Sequence, residues 1–391
     1  MMSKLITILK NNEEKIIAYR RYLHQHPELS YLETNTSSYI EKVYQNKACL
    51  VQKVSGNSLI VTIKGKSGGK TLAIRGDFDA LPIEERTNLS FSSLNPGVMH
   101  ACGHDGHTAY LLGLADVLIQ TKELWQGTIK IIHQAAEEVP PGGALEVVRS
   151  GLLDDVDCIL GLHLWSPLSF GTIGCTSGSI MAGRSKFEVN FKGKGGHGSS
   201  PQLSKDTNLA VAFFQTAVQT IVSRRIDPFE LATLTIGSVE GGGVFNVIKE
   251  EVSLSGDVRY VSNDVKDTIE SEFRKILEGI KIMFDVDYEL NYTHDYPTLK
   301  NDEHLTNEIL NILQKSKNLA VKEIKTAYKV SASEDFAYYK DMAPICYLFV
   351  GAAPDVGLSY PHHHPKFDIN EKSLLLAAEL MAEIVIKLLD K

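Results

Sequence analysis

Three short β-rich runs, each leading into side chains that bind metals or move protons, constrain this chain most. They are Thr71–Arg75 (TLAIR), Thr128–His133 (TIKIIH) and Cys158–His163 (CILGLH), with helix-like stretches at 110–119 and 144–149 between them. Such alternation predicts a parallel sheet covered on both faces, because a parallel neighbour is reached only through a crossover of helix length. A late apolar run, Ile345–Gly351, adds a strand, and Leu374–Leu389 carries apolar residues at helical spacing.

The middle of the chain follows another rhythm. Phe187, Val189 and Phe191 alternate with polar residues, Leu209–Val222 reads as a helix, and Leu231–Val239 as a strand. Val252, Leu254, Val258 and Tyr260 alternate again, residues 265–280 are helical in spacing, and Val286–Tyr292 closes with a strand. Strand, helix, two or three strands, helix, strand is the order of a split βαβ (ferredoxin-like) module. The predicted fold is therefore α/β, a mostly parallel sheet formed by residues 1–182 and 296–391, with an α+β domain at 183–295 inserted into it.

Composition excludes several functions. With 40 basic and 48 acidic residues the net charge is −8, which argues against nucleic acid or an anionic membrane as partner. No apolar run reaches the ~18 residues of a membrane-spanning helix. The opening MMSKLITILKNNEEKII reads as an amphipathic first helix and not as a signal peptide. Five scattered cysteines fit a reducing compartment better than a disulfide framework, so a cytoplasmic protein is expected.

The chemistry gathers in Val98–Thr108, VMHACGHDGHT, where one cysteine, three histidines and an aspartate share a glycine-rich stretch. Cys and His are favoured ligands of zinc-like metals, although a core cysteine with surface histidines has the same composition. Position strengthens the metal reading. TLAIR runs into Asp77 and Asp79, TIKIIH into Glu137 and Glu138, and CILGLH ends at His163, while open α/β sheets bind ligands beyond the carboxyl ends of their strands. Pro361–Pro365 (PHHHP) follows the late strand. Cys102, His104, Glu138, His163 and one of His362, His363 and His364 make five donors, more than one four-coordinate ion needs. Two ions sharing a bridging ligand use five, and Glu137 beside a ligand suits a general base for a bridging water.

These stretches occur in an order that resembles a known family. Arg20–Glu33 (RRYLHQHPELSYLE), Arg75–Glu85 (RGDFDALPIEE), ACGHDGH, AAEE, GLH, Gly193–Pro201 (GKGGHGSSP), Ser333–Ala337 (SEDFA) and His363–Asp368 (HHPKFD) together resemble the dinuclear metallo-amidohydrolases of the aminoacylase and carboxypeptidase superfamily. The branch is that of hippurate hydrolase, N-acyl-L-amino-acid amidohydrolases and plant auxin-conjugate hydrolases, and the likeness spans nearly the whole chain. It implies Cys102 as bridging ligand and His104, Glu138, His163 and His363 as the others. One ion would take Cys102, Glu138 and His363, the other Cys102, His104 and His163. His362 and His364 leave the last ligand open by one position. The resemblance further implies Glu137 as base, Asp79 as the residue that orients the site, and two divalent ions per subunit, manganese or zinc, with nickel or cobalt also used in the family.

By the same likeness the insert is a dimerisation or lid domain, and its His197 reaches the partner subunit's site to stabilise the oxyanion. Asn246 and Arg259 are candidate contacts for a substrate carboxylate. Two departures stand in this domain: Gln202 follows Pro201 where His is usual, and Asp257 stands where Thr is common. The implied activity is hydrolysis of N-acyl amino acids (acetyl, benzoyl or similar) by a homodimer. The alternatives are a dipeptidase, a biosynthetic deacetylase such as one acting on N-acetyldiaminopimelate, thiol catalysis by Cys102, or a non-catalytic binding protein on the same fold.

Overall fold

The computed structural model describes residues 1–355 and 357–390. The chain divides into two compact units, one of Met1–Ile180, Lys300–Lys329 and Asp335–Lys391, the other of Met181–Leu299 and Val330–Glu334.

In the first unit eight strands form one sheet. They are β1 (Leu50–Lys53), β2 (Leu59–Lys64), β3 (Lys66–Asp77), β4 (Gln126–Gln134), β5 (Cys158–Trp165), β6 (Thr172–Gly174), β7 (Glu323–Lys325) and β8 (Ile345–Gly351), in the order β1-β2-β4-β3-β5-β8-β6-β7. The four central strands β4, β3, β5 and β8 are mutually parallel, and antiparallel pairing enters only at β1–β2, β2–β4 and β8–β6. Leu72–Asp77, Cys158–Leu164 and all of β8 are buried. That is why they read as continuous apolar runs and not as alternating ones. Register aligns their ends: Asp77 lies opposite Gln134, Arg75 opposite Gly161, and His163 opposite Phe349.

Three helices matter for the site: α1 (Glu13–Gln25), α2 (His104–Gln120) and α3 (Lys372–Leu389), packed against one another. Helix α2 is buried on every side from His104 to Leu118. It begins six residues before the apolar periodicity does, because its first turn is built from polar, metal-type residues that periodicity does not register. Gly103 makes the start possible: it caps the helix with φ 92°, a left-handed conformation that a Cβ disfavours. A Cβ on Gly113 would lie 2.4 Å from Ile16, so the close approach of α1 and α2 requires glycine there. The N-terminal segment forms two helices, Met2–Asn11 and α1, not the single one expected. Among the described residues no helix is long and apolar enough to cross a membrane.

The second unit is a four-stranded antiparallel sheet, ordered 232–240, 251–260, 183–192, 287–294, with the helices Thr207–Arg225 and Asn263–Phe284. In chain order this is 2-3-1-4, the ferredoxin-like arrangement. Phe187, Phe191, Phe214 and Phe273 form its centre. Asp206 and Ser262 cap the helices by accepting the Leu209 and Val265 amides. Residues 330–334 belong to this unit, although the sequence reading gave everything from 296 onward to the α/β domain. Met181 bridges Val330 and the Ala182 amide donates to Ala332 O at 2.9 Å. The stretch Val-Ser-Ala-Ser-Glu has no periodicity to announce the exchange.

Candidate metal centre

All five candidate ligand positions and the glutamate pair lie in the first unit, at the carboxyl ends of β3, β4 and β5, at the start of α2 and in the loop 361–365. The donor atoms of Cys102, His104 and Glu138 lie within 4.8 Å of one another, and so do those of Cys102, His163 and His362. Cys102 belongs to both groups. Its thiol is 3.5 Å from His163 Nε2.

The histidines present the nitrogens a metal would use. His104 donates through Nδ1 to Asp79 Oδ1 at 3.1 Å, and its Nε2 is buried without a protein partner. His163 donates through Nδ1 to Leu164 O at 3.0 Å, which frees its Nε2. Glu138 Oε1 is likewise buried and makes no hydrogen bond, with His363 Nε2 at 3.3 Å and His104 Nε2 at 3.9 Å. Buried polar atoms left open and converging fit two divalent ions sharing the Cys102 thiolate. Asp79 serves both arms, since its Oδ2 accepts the Glu138 amide at 2.9 Å.

The C-terminal loop departs from the grouping implied by the resemblance. His362 joins Cys102 and His163, while His104 stands with Glu138. His363 Nε2 lies 3.3 Å from Glu138 Oε1, and its backbone is left-handed at φ 65° with its amide held by Ala101 O at 2.8 Å. His362 is fixed by stacking on Trp165, with ring centroids 4.3 Å apart, and by an edge contact to His163 at 5.0 Å. The aromatic surroundings of His362 bring it in, so both histidines border the centre. His364 stacks on Tyr360 and its Nδ1 accepts the Lys366 amide.

Electrostatics describe a site that stores protons when no cation is held. Burial, then Glu138, Glu137 and Asp77, push the Cys102 thiol well above its ordinary range. Burial pulls His104 down, but Asp77, Asp79 and Glu138 outweigh it and raise the imidazole to about 10. His163 falls well below its usual value through burial and neighbouring His107 and His362. A divalent cation reverses the balance for Cys102 and His104, because ligation requires the thiolate and the neutral ring.

Several supporting residues stand behind the donors, in pairings the sequence does not convey. His107 donates through Nδ1 to Asp77 Oδ1 at 2.6 Å and accepts the Leu164 amide on Nε2 at 2.9 Å. Those two bonds fix the orientation of the ring beside His163. Asp77 also pairs with Arg75, whose guanidinium reaches Gln134 and Asp335. All four are buried. Gln134 Nε2 donates to both Asp335 oxygens. The motifs RGDFD and SEDFA thus meet in one polar network. Their order in the sequence was visible, but their meeting depends on the sheet.

A model described as peptidase family M20/M25/M40 matches residues 73–387. The chain belongs to that family. It is 40% identical to an N-acyl-L-amino acid amidohydrolase of Geobacillus stearothermophilus over 74% of this chain and 78% of the relative. The crystal structure of a candidate aminohydrolase from methicillin-resistant Staphylococcus aureus is 47% identical, with a TM-score of 0.94 over 100% of both chains. A Bacillus subtilis protein, YXEP, solved as a dinuclear metal-binding peptidase of the M20 family, is 31% identical with a TM-score of 0.84, covering 97% of this chain and 99% of its own.

The remaining expected residues of this M20 chain lie in the second unit. His197 is exposed on a two-residue strand paired with Val247–Ile248, and its Nδ1 accepts from Ser199 N and Oγ. Asn246 is exposed, its carbonyl accepting the Gly198 amide at 2.8 Å. Arg259 is engaged within the unit, donating to Asp257 at 2.7 Å and to Ser333 at 3.1 Å. Asp257 also accepts from Arg184, so this aspartate ties down two arginines.

Proposed function

We propose that this protein is a metal-dependent amidohydrolase that splits N-acyl amino acids into a carboxylate and a free amino acid. The observation that carries the reading is the pair of donor groups sharing Cys102, with Glu137 on the same turn as ligand Glu138. Two divalent ions held by Cys102, His104, Glu138, His163 and His362 or His363 would supply Lewis acidity to the water and the acyl carbonyl. We assign them as manganese or zinc, since thiolate, imidazole and carboxylate together suit both. Glu137, nearly buried, takes the proton of the attacking water and passes it to the leaving amine, so water and amide become acid and amine. Asp79 orients His104 and the Glu138 backbone.

The second unit supports a homodimer. Strand 232–240 is an edge of its sheet, and Leu209, Phe213, Leu231 and Val239 are exposed around it. In that reading His197 stabilises the developing oxyanion in the other subunit's site, and Asn246 meets the substrate carboxylate. The free cysteines suit a reducing, cytoplasmic setting.

The test is amine release from acetyl-, benzoyl- and longer-chain acyl amino acids and from dipeptides, with metal-stripped protein and protein reloaded with manganese or zinc. Metal-dependent turnover of acyl amino acids is the expected result. Turnover that is indifferent to metal, or confined to dipeptides, overturns the proposal.

A further inference from the structure

We propose that Glu33 and Tyr31, in the N-terminal segment, are positioning residues that hold the turn carrying Glu137 and Glu138. This rests on the reading of Glu137 as the proton carrier.

Ala136, the residue before Glu137, has φ 54°, a left-handed backbone that is unfavourable for any residue with a Cβ. Such a conformation persists only where its surroundings impose it. The Ala136 amide donates to Glu33 Oε1 at 2.8 Å, and its carbonyl accepts the Gly143 amide at 2.9 Å. Glu33 is fully buried, and its other oxygen accepts a longer bond, 3.3 Å, from Asn57. Burying a carboxyl is expensive unless strong donors meet it, so the Ala136 bond is the contact that accounts for its place.

The far end of the turn is held from the same segment. Tyr31 hydroxyl donates to Val139 O at 2.8 Å and accepts the Gly142 amide at 3.0 Å. Tyr31 itself is left-handed at φ 69°. Ser30 completes the set by donating to Asp79 Oδ2 at 2.7 Å, the oxygen that also accepts the Glu138 amide. Residues 30, 31 and 33 thus reach the backbone at 136, 139 and 142 and, through Asp79, at 138. A turn fixed at four points keeps both carboxylates in register, and small misplacements of a reacting group cost rate steeply.

The experiment compares Glu33→Ala, Glu33→Gln, Tyr31→Phe and the double variant Glu33→Ala/Ala136→Gly. Readouts are kcat and KM, bound metal per subunit, and amide exchange of the peptide spanning 136–142. Glu33→Ala is expected to lower kcat ~10–100-fold with KM and metal content retained, and to speed exchange in that peptide. Glu33→Gln, which keeps the acceptor oxygen, restores most of the rate. Glycine at 136 adopts positive φ freely, so the double variant recovers part of the loss. Tyr31→Phe, at a half-exposed position that does not endanger folding, gives a smaller fall in kcat with faster exchange. Wild-type exchange and kcat in both Glu33→Ala and Tyr31→Phe, or a loss explained wholly by missing metal, overturns the proposal. If the wild-type protein hydrolyses nothing, the exchange result still decides whether these residues hold the turn.

Discussion

In the first unit the side chains that could hold metal are buried or half-buried, apart from the exposed His363, and the Nδ1 atoms of His104 and His163 are already committed to protein acceptors. In the second, His197 stands exposed on a two-stranded ribbon and Asn246 just before it, beside Val244 and Phe245, the latter fully exposed. The first pattern is that of a site the chain completes by itself, with orientation prepaid by Asp79 and Leu164 O. The second is that of a surface awaiting another molecule. The contrast separates chemistry, which needs fixed donors in a dry place, from recognition and assembly, which need groups that are still accessible.

The sharpest way to break that division is at Glu137. Glu137→Gln should lower kcat ~10²–10⁴-fold while both metals stay bound, as measured by turnover and metal analysis. Full activity in that variant removes the base from the first unit. His197→Ala should cost ~10²–10³-fold, the usual loss for one oxyanion donor. If the protein is the proposed homodimer, mixing the two inactive variants then tests where His197 acts. Random re-pairing makes half the dimers hybrid with one complete site each, restoring about a quarter of the activity if His197 works across subunits. No recovery means that it works within its own chain or not at all.

A smaller effect probes the support beneath the donors. His107→Ala removes the group linking Asp77 to the strand end at His163, and metal affinity should weaken ~10–100-fold, measured by competition with a chelator. Smallest is a pH effect on the scaffold. Burial lowers His24, but Asp105 and Glu85 raise it to about 9, above the ~6.5 of the unfolded chain. The pairing therefore stabilises fully below about pH 6.5 and is lost as pH rises through about 9. Thermal melts should fall over that window, and His24→Asn should melt lower at pH 6, by the order of 2–3 kcal/mol, and show a flatter profile.

The sequence made the reactive residues legible because they are rare types at strand ends, and the strands because both faces are buried. Glu137, Glu138 and His163 stood out in this way, and Cys102 and His104 through a Cys- and His-rich stretch broken by glycines. Other features lie beyond periodicity. The start of α2 at His104 depends on a left-handed glycine, and residues 330–334 join the second unit through the Met181 bridge and hydrogen bonds from Ala182 and Arg259. His107, Asp77 and Glu33 were readable as residues but not as partners, because each acts on a backbone or carboxylate distant in the chain. The choice between His362 and His363 turns on stacking with Trp165, more than 190 residues earlier, which spacing cannot convey.

The most direct test is a titration of metal-stripped protein with manganese or zinc, following hydrolysis of an N-acyl amino acid and proton release together. The account predicts saturation at two ions per subunit, activity that appears with them, and protons released as Cys102 and His104 become ligands. Activity without added metal, or a Cys102→Ala variant that still binds two ions and turns over normally, would contradict it.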